Sequence, residues 1–216
     1  MIFENVKEVV IKAVNGKVEI EGWKDKRVEV NYTLHGDVDV KVEQRGSRLI
    51  VKEEPKKKLM NLFKSGWAEI HVKVPRNVIV NAKNVNGGLK ARGTRFEEAT
   101  TVNGEITLEE CEVKKLSTVN GEIRAHLTVA GPLRASTVNG DIEITIEELE
   151  GDVEASCVNG DMTLRPTDFC DARIVAKAVH GDVELVGINP ENPVIGTGDY
   201  EVKVSTVNGD VTVELV

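Results

Sequence analysis

Apolar and polar residues alternate with a period of two along almost the whole chain. In the first third the pattern appears as Val9-x-Ile11-x-Ala13, Val18-x-Ile20, Val28-x-Val30, Val38-x-Val40-x-Val42 and Leu49-x-Val51. Further on it appears as Leu133-x-Ala135-x-Thr137, Val153-x-Ala155-x-Cys157, Ile174-x-Ala176-x-Ala178 and Val202-x-Val204-x-Thr206. Such alternation predicts strands with one buried face. A tripeptide, Val-Asn-Gly, punctuates the strands and ends at Gly16, Gly87, Gly104, Gly121, Gly140, Gly160 and Gly209. Val179-His180-Gly181 is a one-residue variant, and Leu34-His35-Gly36 is a looser one. From Val85 onward the steps are 17, 17, 19, 20, 21 and 28 residues. Self-similarity at this period marks a stacked-repeat architecture.

Asn-Gly between alternating runs is also a strong hairpin signal. Hairpin partners need not resemble one another, whereas here the same side-chain types return at the same place in each repeat. After the tripeptide come Ile106-x-Leu108, Ile123-x-Ala125, Ile142-x-Ile144, Met162-x-Leu164, Val183-x-Leu185 and Val211-x-Val213. Equivalent strands stacked in parallel would set like residues on like, about 4.8 Å apart. The fold expected is all-β: a parallel β-solenoid (β-helix) with roughly 17–21-residue coils and Asn-Gly corners. The corner residues are Asn86, Gly87, Asn103, Gly104, Asn120, Gly121, Asn139, Gly140, Asn159, Gly160, His180, Gly181, Asn208 and Gly209. Glycine gives positive φ there without a Cβ penalty, and stacked asparagines would hydrogen-bond between coils. Residues 1–216 read as one domain, with irregular coils over 1–75, an insertion at 55–67 and regular repeats over 76–216. The corner valines Val102, Val119, Val138, Val158 and Val207 are out of phase with the inward residues. They either form an outward apolar stripe or are turned back into the core by the corner.

Composition sharpens this picture. Hydrophobic residues are 40% of the chain but aromatics only 4%, which suits a narrow core of small and branched side chains. The Lys and Glu bias, with Gln44 the single glutamine, is a compositional hint of a hot environment. Up to position 75 the chain has 15 basic against 12 acidic residues; beyond it, 13 against 24. An acidic repeat region argues against a nucleic-acid partner, which needs a basic face. The three cysteines, Cys111, Cys157 and Cys170, fit neither a zinc site nor a full disulfide framework. Cys157 stands where other repeats carry threonine and reads as a small core residue. A Cys111–Cys170 bridge stays open. The charged start, without an export signal or an apolar run long enough to span a bilayer, leads us to expect cytoplasmic residence, with a place on a membrane surface as the alternative.

The corner Gly-[Asp/Glu]-hydrophobic-x-hydrophobic, the Leu/Val-x-Ala-x-Thr strand before it, and the lead-in Ala68-Glu69-Ile70-His71-Val72-Lys73-Val74-Pro75 resemble the putative-adhesin β-strand-repeat family of unknown function. The resemblance covers nearly the whole chain. It implies a β-solenoid and surface binding, and supplies no catalytic residues.

Function is less legible. The segment at 55–67 breaks the alternation and gathers Lys56, Lys57, Lys58 and Lys64 with Leu59, Met60, Leu62, Phe63 and Trp67. It is a candidate interaction loop for an anionic membrane surface or an acidic protein. The simpler alternative is a loop folded on the solenoid with solvated lysines. The acids after the corner, Glu105, Glu122, Asp141, Asp161, Asp182 and Asp210, supply one carboxylate per coil, too few for a calcium shell. No catalytic residue, cofactor or metal is expected. The last strand, from Val211 to Val216, is expected to leave an open solenoid end, and a homodimer is expected through that end or a sheet edge. The leading expectation is a non-enzymatic scaffold or adhesin-like module. A peripheral membrane or envelope module acting through the 55–67 loop is the alternative, and a carbohydrate-active β-helix enzyme a distant one.

Overall fold

A computed structural model describes residues 1–56 and 66–216. All regular structure among them is β. In chain order the first strands are β1 (Ile2–Phe3), β2 (Glu8–Lys12), β3 (Gly16–Trp23), β4 (Val28–His35), β5 (Val38–Arg45), β6 (Arg48–Pro55) and β7 (Trp67–Pro75). Then come β8 (Ile79–Asn86), β9 (Leu89–Arg92), β10 (Arg95–Asn103), β11 (Ile106–Ser117), β12 (Ile123–Asn139) and β13 (Ile142–Leu149). The last are β14 (Val153–Asn159), β15 (Met162–Pro166), β16 (Ala172–His180), β17 (Val183–Val186), β18 (Val194–Ile195), β19 (Tyr200–Asn208) and β20 (Val211–Glu214).

The strands pile into two parallel stacks joined at the corners. Strands running into a corner follow the order β6, β2, β8, β10, the second half of β11, the second half of β12, β14, β19, β16. Strands leaving a corner follow the order β7, β3, β9, the first halves of β11 and β12, β13, β15, β20, β17. The period-2 pattern makes both stacks work, because every second side chain turns inward and meets its own kind. Leu89, Ile106, Ile123, Ile142, Met162 and Val211 form one such buried column. Ala82, Ala99, Leu116, Ala135, Ala155 and Val204 form another on the opposite stack. Each buried Ile, Leu or Val contributes about 1.5–3 kcal/mol relative to exposure. Among the described residues Phe96 is the one phenylalanine in the fully buried core, so branched aliphatics do the filling.

Two features depart from a simple sequential stack. The chain does not lay down its last layers in order: β19 and β20 insert between β14/β15 and β16/β17. The 28-residue step makes this geometrically feasible, because residues 187–199 carry the chain back by one layer. The expectation of an open end at 211–216 is therefore corrected: β20 is an interior strand, and β16 and β17 form the terminal layer. At the other end the expected irregular coils include a reversed one. β4 runs antiparallel on β7, β5 antiparallel on β6, and β1 closes against β4. Gly36, with φ of 80°, turns that reversed layer between β4 and β5.

Candidate functional site

The edge formed by the corners concentrates the repeated polar chemistry. Each asparagine side chain donates its Nδ2–H to the Oδ1 of the previous layer: Asn86 to Asn15, Asn103 to Asn86, Asn120 to Asn103, Asn139 to Asn120, Asn159 to Asn139 and Asn208 to Asn159, all at 2.8–2.9 Å. The glycine that follows donates its backbone N–H to the asparagine carbonyl of the next layer, from Gly87 to Asn103 through to Gly160 to Asn208. Glycine is required because the layers nearly touch. At Gly140, with φ of 135°, an added Cβ would lie 2.1 Å from the Gly121 carbonyl oxygen.

Behind this row lies a buried polar column. Thr101, Thr118, Thr137 and Thr206 donate their hydroxyls to the carbonyls of Gly87, Gly104, Gly121 and Gly160 at 3.1–3.3 Å. Cys157 takes the same position and directs its thiol at Gly140 O, 3.3 Å away. All three cysteines are free and buried, so the Cys111–Cys170 bridge left open by the sequence is not formed. Burial pushes each thiol above its usual pKa and makes it a poor nucleophile.

The acidic column after the corner is also structural in its contacts. Asp141 Oδ1 accepts the Asp161 amide, Asp161 Oδ1 the Asp210 amide and Asp210 Oδ1 the Asp182 amide, each at 2.8 Å. Among the described residues no cluster of three or more His, Cys, Asp or Glu side chains is arranged to hold a metal ion. The valines, by contrast, face solvent. Val14, Val85, Val102, Val119, Val138, Val158 and Val207 are each 40–41% exposed, so the corner presents an outward apolar row.

Glu53 closes the N-terminal end of the ladder. It is 2% exposed, and its Oε2 accepts the backbone amides of Val14 at 2.6 Å and Asn15 at 2.9 Å. In deeper layers backbone carbonyls take that role, as Val14 O does for Asn86 N–H. Glu53 stands in register with Asn84 and the threonine column, but no other member of that column is charged, and nothing in the alternation marks it.

Of the candidate loop, Lys57, Lys58, Leu59, Met60, Leu62, Phe63 and Lys64 lie outside the described residues. Lys56 is exposed and its N–H donates to Asp37 O. Trp67 belongs to β7, where its ring stacks on His35 at 3.9 Å between centroids and 13° between planes. No helix among the described residues is long and apolar enough to cross a membrane.

The profile of a family described as Toastrack DUF4097 matches residues 6–186 and, in a second alignment, 80–214. The chain belongs to the Toastrack DUF4097 family. Several solved structures are similar to this Toastrack chain at low sequence identity, one of them with a TM-score above 0.5. A protein from Bacteroides fragilis NCTC 9343, titled a putative adhesin, is 16% identical with a TM-score of 0.51, covering 99% of this chain and 94% of that one. A putative adhesin from Parabacteroides merdae ATCC 43184 is 13% identical with a TM-score of 0.44, covering 100% and 94%. A putative cell adhesion protein from Clostridium sporogenes ATCC 15579 is 13% identical with a TM-score of 0.42, covering 99% and 94%. No curated protein matches the sequence.

Proposed function

We propose that this chain is a single-domain β-solenoid that works as a non-enzymatic, adhesin-like scaffold, acting through protein contacts that include contacts between its own copies. The observation that carries the reading is the unclosed terminal layer. In β19 and β20 the inward Val204, Thr206, Val211 and Val213 are buried, whereas in β16 and β17 the equivalent Ala176, Ala178 and Leu185 are only partly covered and Val183 is exposed. A strand edge with apolar residues above it is a template for another chain. The corner favours the same reading, because its asparagines and aspartates bond to one another while its valines remain turned to solvent. Family membership and the Bacteroides fragilis fold relative, a putative adhesin, support adhesion-type contacts. Sedimentation velocity across a hundredfold concentration range tests self-association: a concentration-dependent shift from monomer to dimer is expected, and a pure monomer throughout would remove that part of the reading.

A further inference from the structure

We propose that the terminal layer formed by β16 and β17 docks on the same layer of a second copy through a two-fold contact, with β16 of each protomer pairing antiparallel to β17 of the other. This rests on the self-association reading above and names its surface and partner.

Three observations lead there. First, the free edge is short and defined. Residues 193–195 already occupy β16 at its start: Val194 and Ile195 pair with Arg173 and Ala172, and Ile174 donates to Pro193 O. This leaves Val175 to His180 open, a run of six residues that has room for the five from Asp182 to Val186. The backbone at the corner is unserved as well. The amide of Gly209 donates to His180 O as in every layer from Gly87 on, but among the described residues Gly181 N–H, one layer further, has no acceptor.

Second, the fold already carries such a contact at its other end. There a strand that runs into a turn, β4, lies antiparallel on a strand that leaves a corner, β7, while β5 lies antiparallel on β6. A reversed layer therefore stacks on this architecture and buries its inward residues, as Val28, Val30, Val38 and Val40 show. That end differs from the C-terminal one, since its outer layer runs in reverse and β1 covers part of its edge at Val28 and Glu29. A two-fold contact between C-terminal ends closes on itself.

Third, the terminal layer complements itself. Inward residues stay inward when residues 183–186 of one copy face residues 178–175 of the other. Ala178 then faces Val183 and Ala176 faces Leu185, small against large in each case. On the outer face Val175 meets Val186, which is 38% exposed. Lys177 meets Glu184, and the symmetry makes this ion pair twice. Among the described residues neither Lys177 nor Glu184 has a salt-bridge partner within its own chain, although charges along the other layers are extensively paired.

Charge reversal tests the register directly, because both side chains are exposed and neither holds the fold. Sedimentation equilibrium of the full chain is expected to show a dimer, and Lys177→Glu or Glu184→Lys alone to weaken it at least about tenfold, through two like-charge contacts per dimer. The double variant Lys177→Glu/Glu184→Lys is expected to return to within about threefold of the wild type. Circular dichroism melts monitor folding of all four proteins. A monomeric wild type overturns the proposal and the self-association reading together. A dimer unaffected by either single variant, or not rescued by the double one, overturns this contact alone and leaves self-association standing at another surface. Species that grow beyond dimers with concentration overturn the closed two-fold geometry.

Discussion

At the residue scale, the corner asparagines combine two roles that the sequence separates poorly. The Asn-Gly pair is legible as turn chemistry, with positive φ on glycines such as Gly87 and Gly140 rather than on the asparagines, but the same dipeptide reads equally as a hairpin. The stacking becomes visible only in the side-chain ladder. Asn120 both donates to Asn103 and accepts from Asn139, so Asn120→Ala removes two bonds. A loss of about 1–2 kcal/mol in urea unfolding is expected, and no loss would show that the ladder is ornamental. Gly140→Ala should do more damage, because its Cβ meets backbone rather than a movable side chain. Acidic groups give a second residue-scale prediction. Glu54 is held at a pKa of about 2, chiefly by its hydrogen bonds to Lys41 and Lys52, at 2.5 and 2.7 Å. A folded value below the unfolded one, about 4.3 for glutamate, stabilises the protein above pH 4.3, and the gain disappears as pH falls toward 2. The melting temperatures of wild type and Glu54→Gln should therefore differ at neutral pH and converge across that acidic window. A difference that persists at pH 2 would contradict the assignment.

At the scale of the element, strands were easy to read and their direction was not. Val28-x-Val30 and Val38-x-Val40 alternate just as the later repeats do, and alternation is the same for parallel and antiparallel neighbours. The reversed layer at the N-terminal end is hidden for that reason, whereas Trp67 is hidden because it ends the 55–67 segment that breaks the alternation. Ends of a stack also demand groups that the repeat does not supply, and Glu53 is such a group. Its carboxylate reaches from β6 to two amides at the first corner, a place that a backbone carbonyl fills between later layers. Glu53→Ala should cost about 2–4 kcal/mol, since two donors lose a charged acceptor. Glu53→Gln keeps an acceptor oxygen and should cost clearly less. Equal losses in the two variants, measured by chemical denaturation, would assign Glu53 a packing role instead.

At the scale of the whole molecule, the order of layers in space differs from the order in the chain, and this has consequences for stability. The repeat spacing contained a trace of it, since the step from Val179 to Val207 is the longest. Yet side chains at equivalent positions are interchangeable enough that either order satisfies the inward columns. In a sequential solenoid the last repeat is the outermost one and frays first. Here the last strands lie between two neighbours: β19 bonds to β14 and β16, and β20 to β15 and β17. Their inward Val202, Val204, Val211 and Val213 are buried, whereas Val183 on β17 is 43% exposed. Local opening follows contact density and solvent access rather than position in the sequence. Native-state hydrogen exchange should thus be slower over residues 200–214 than over residues 175–186, even though the former segment almost ends the chain. The comparison belongs at concentrations low enough to keep the protein monomeric, because pairing of the terminal layer would protect residues 175–186. Faster exchange at 200–214 than at 175–186 under those conditions would refute the inserted-layer order, and with it the identification of β16 and β17 as the open end.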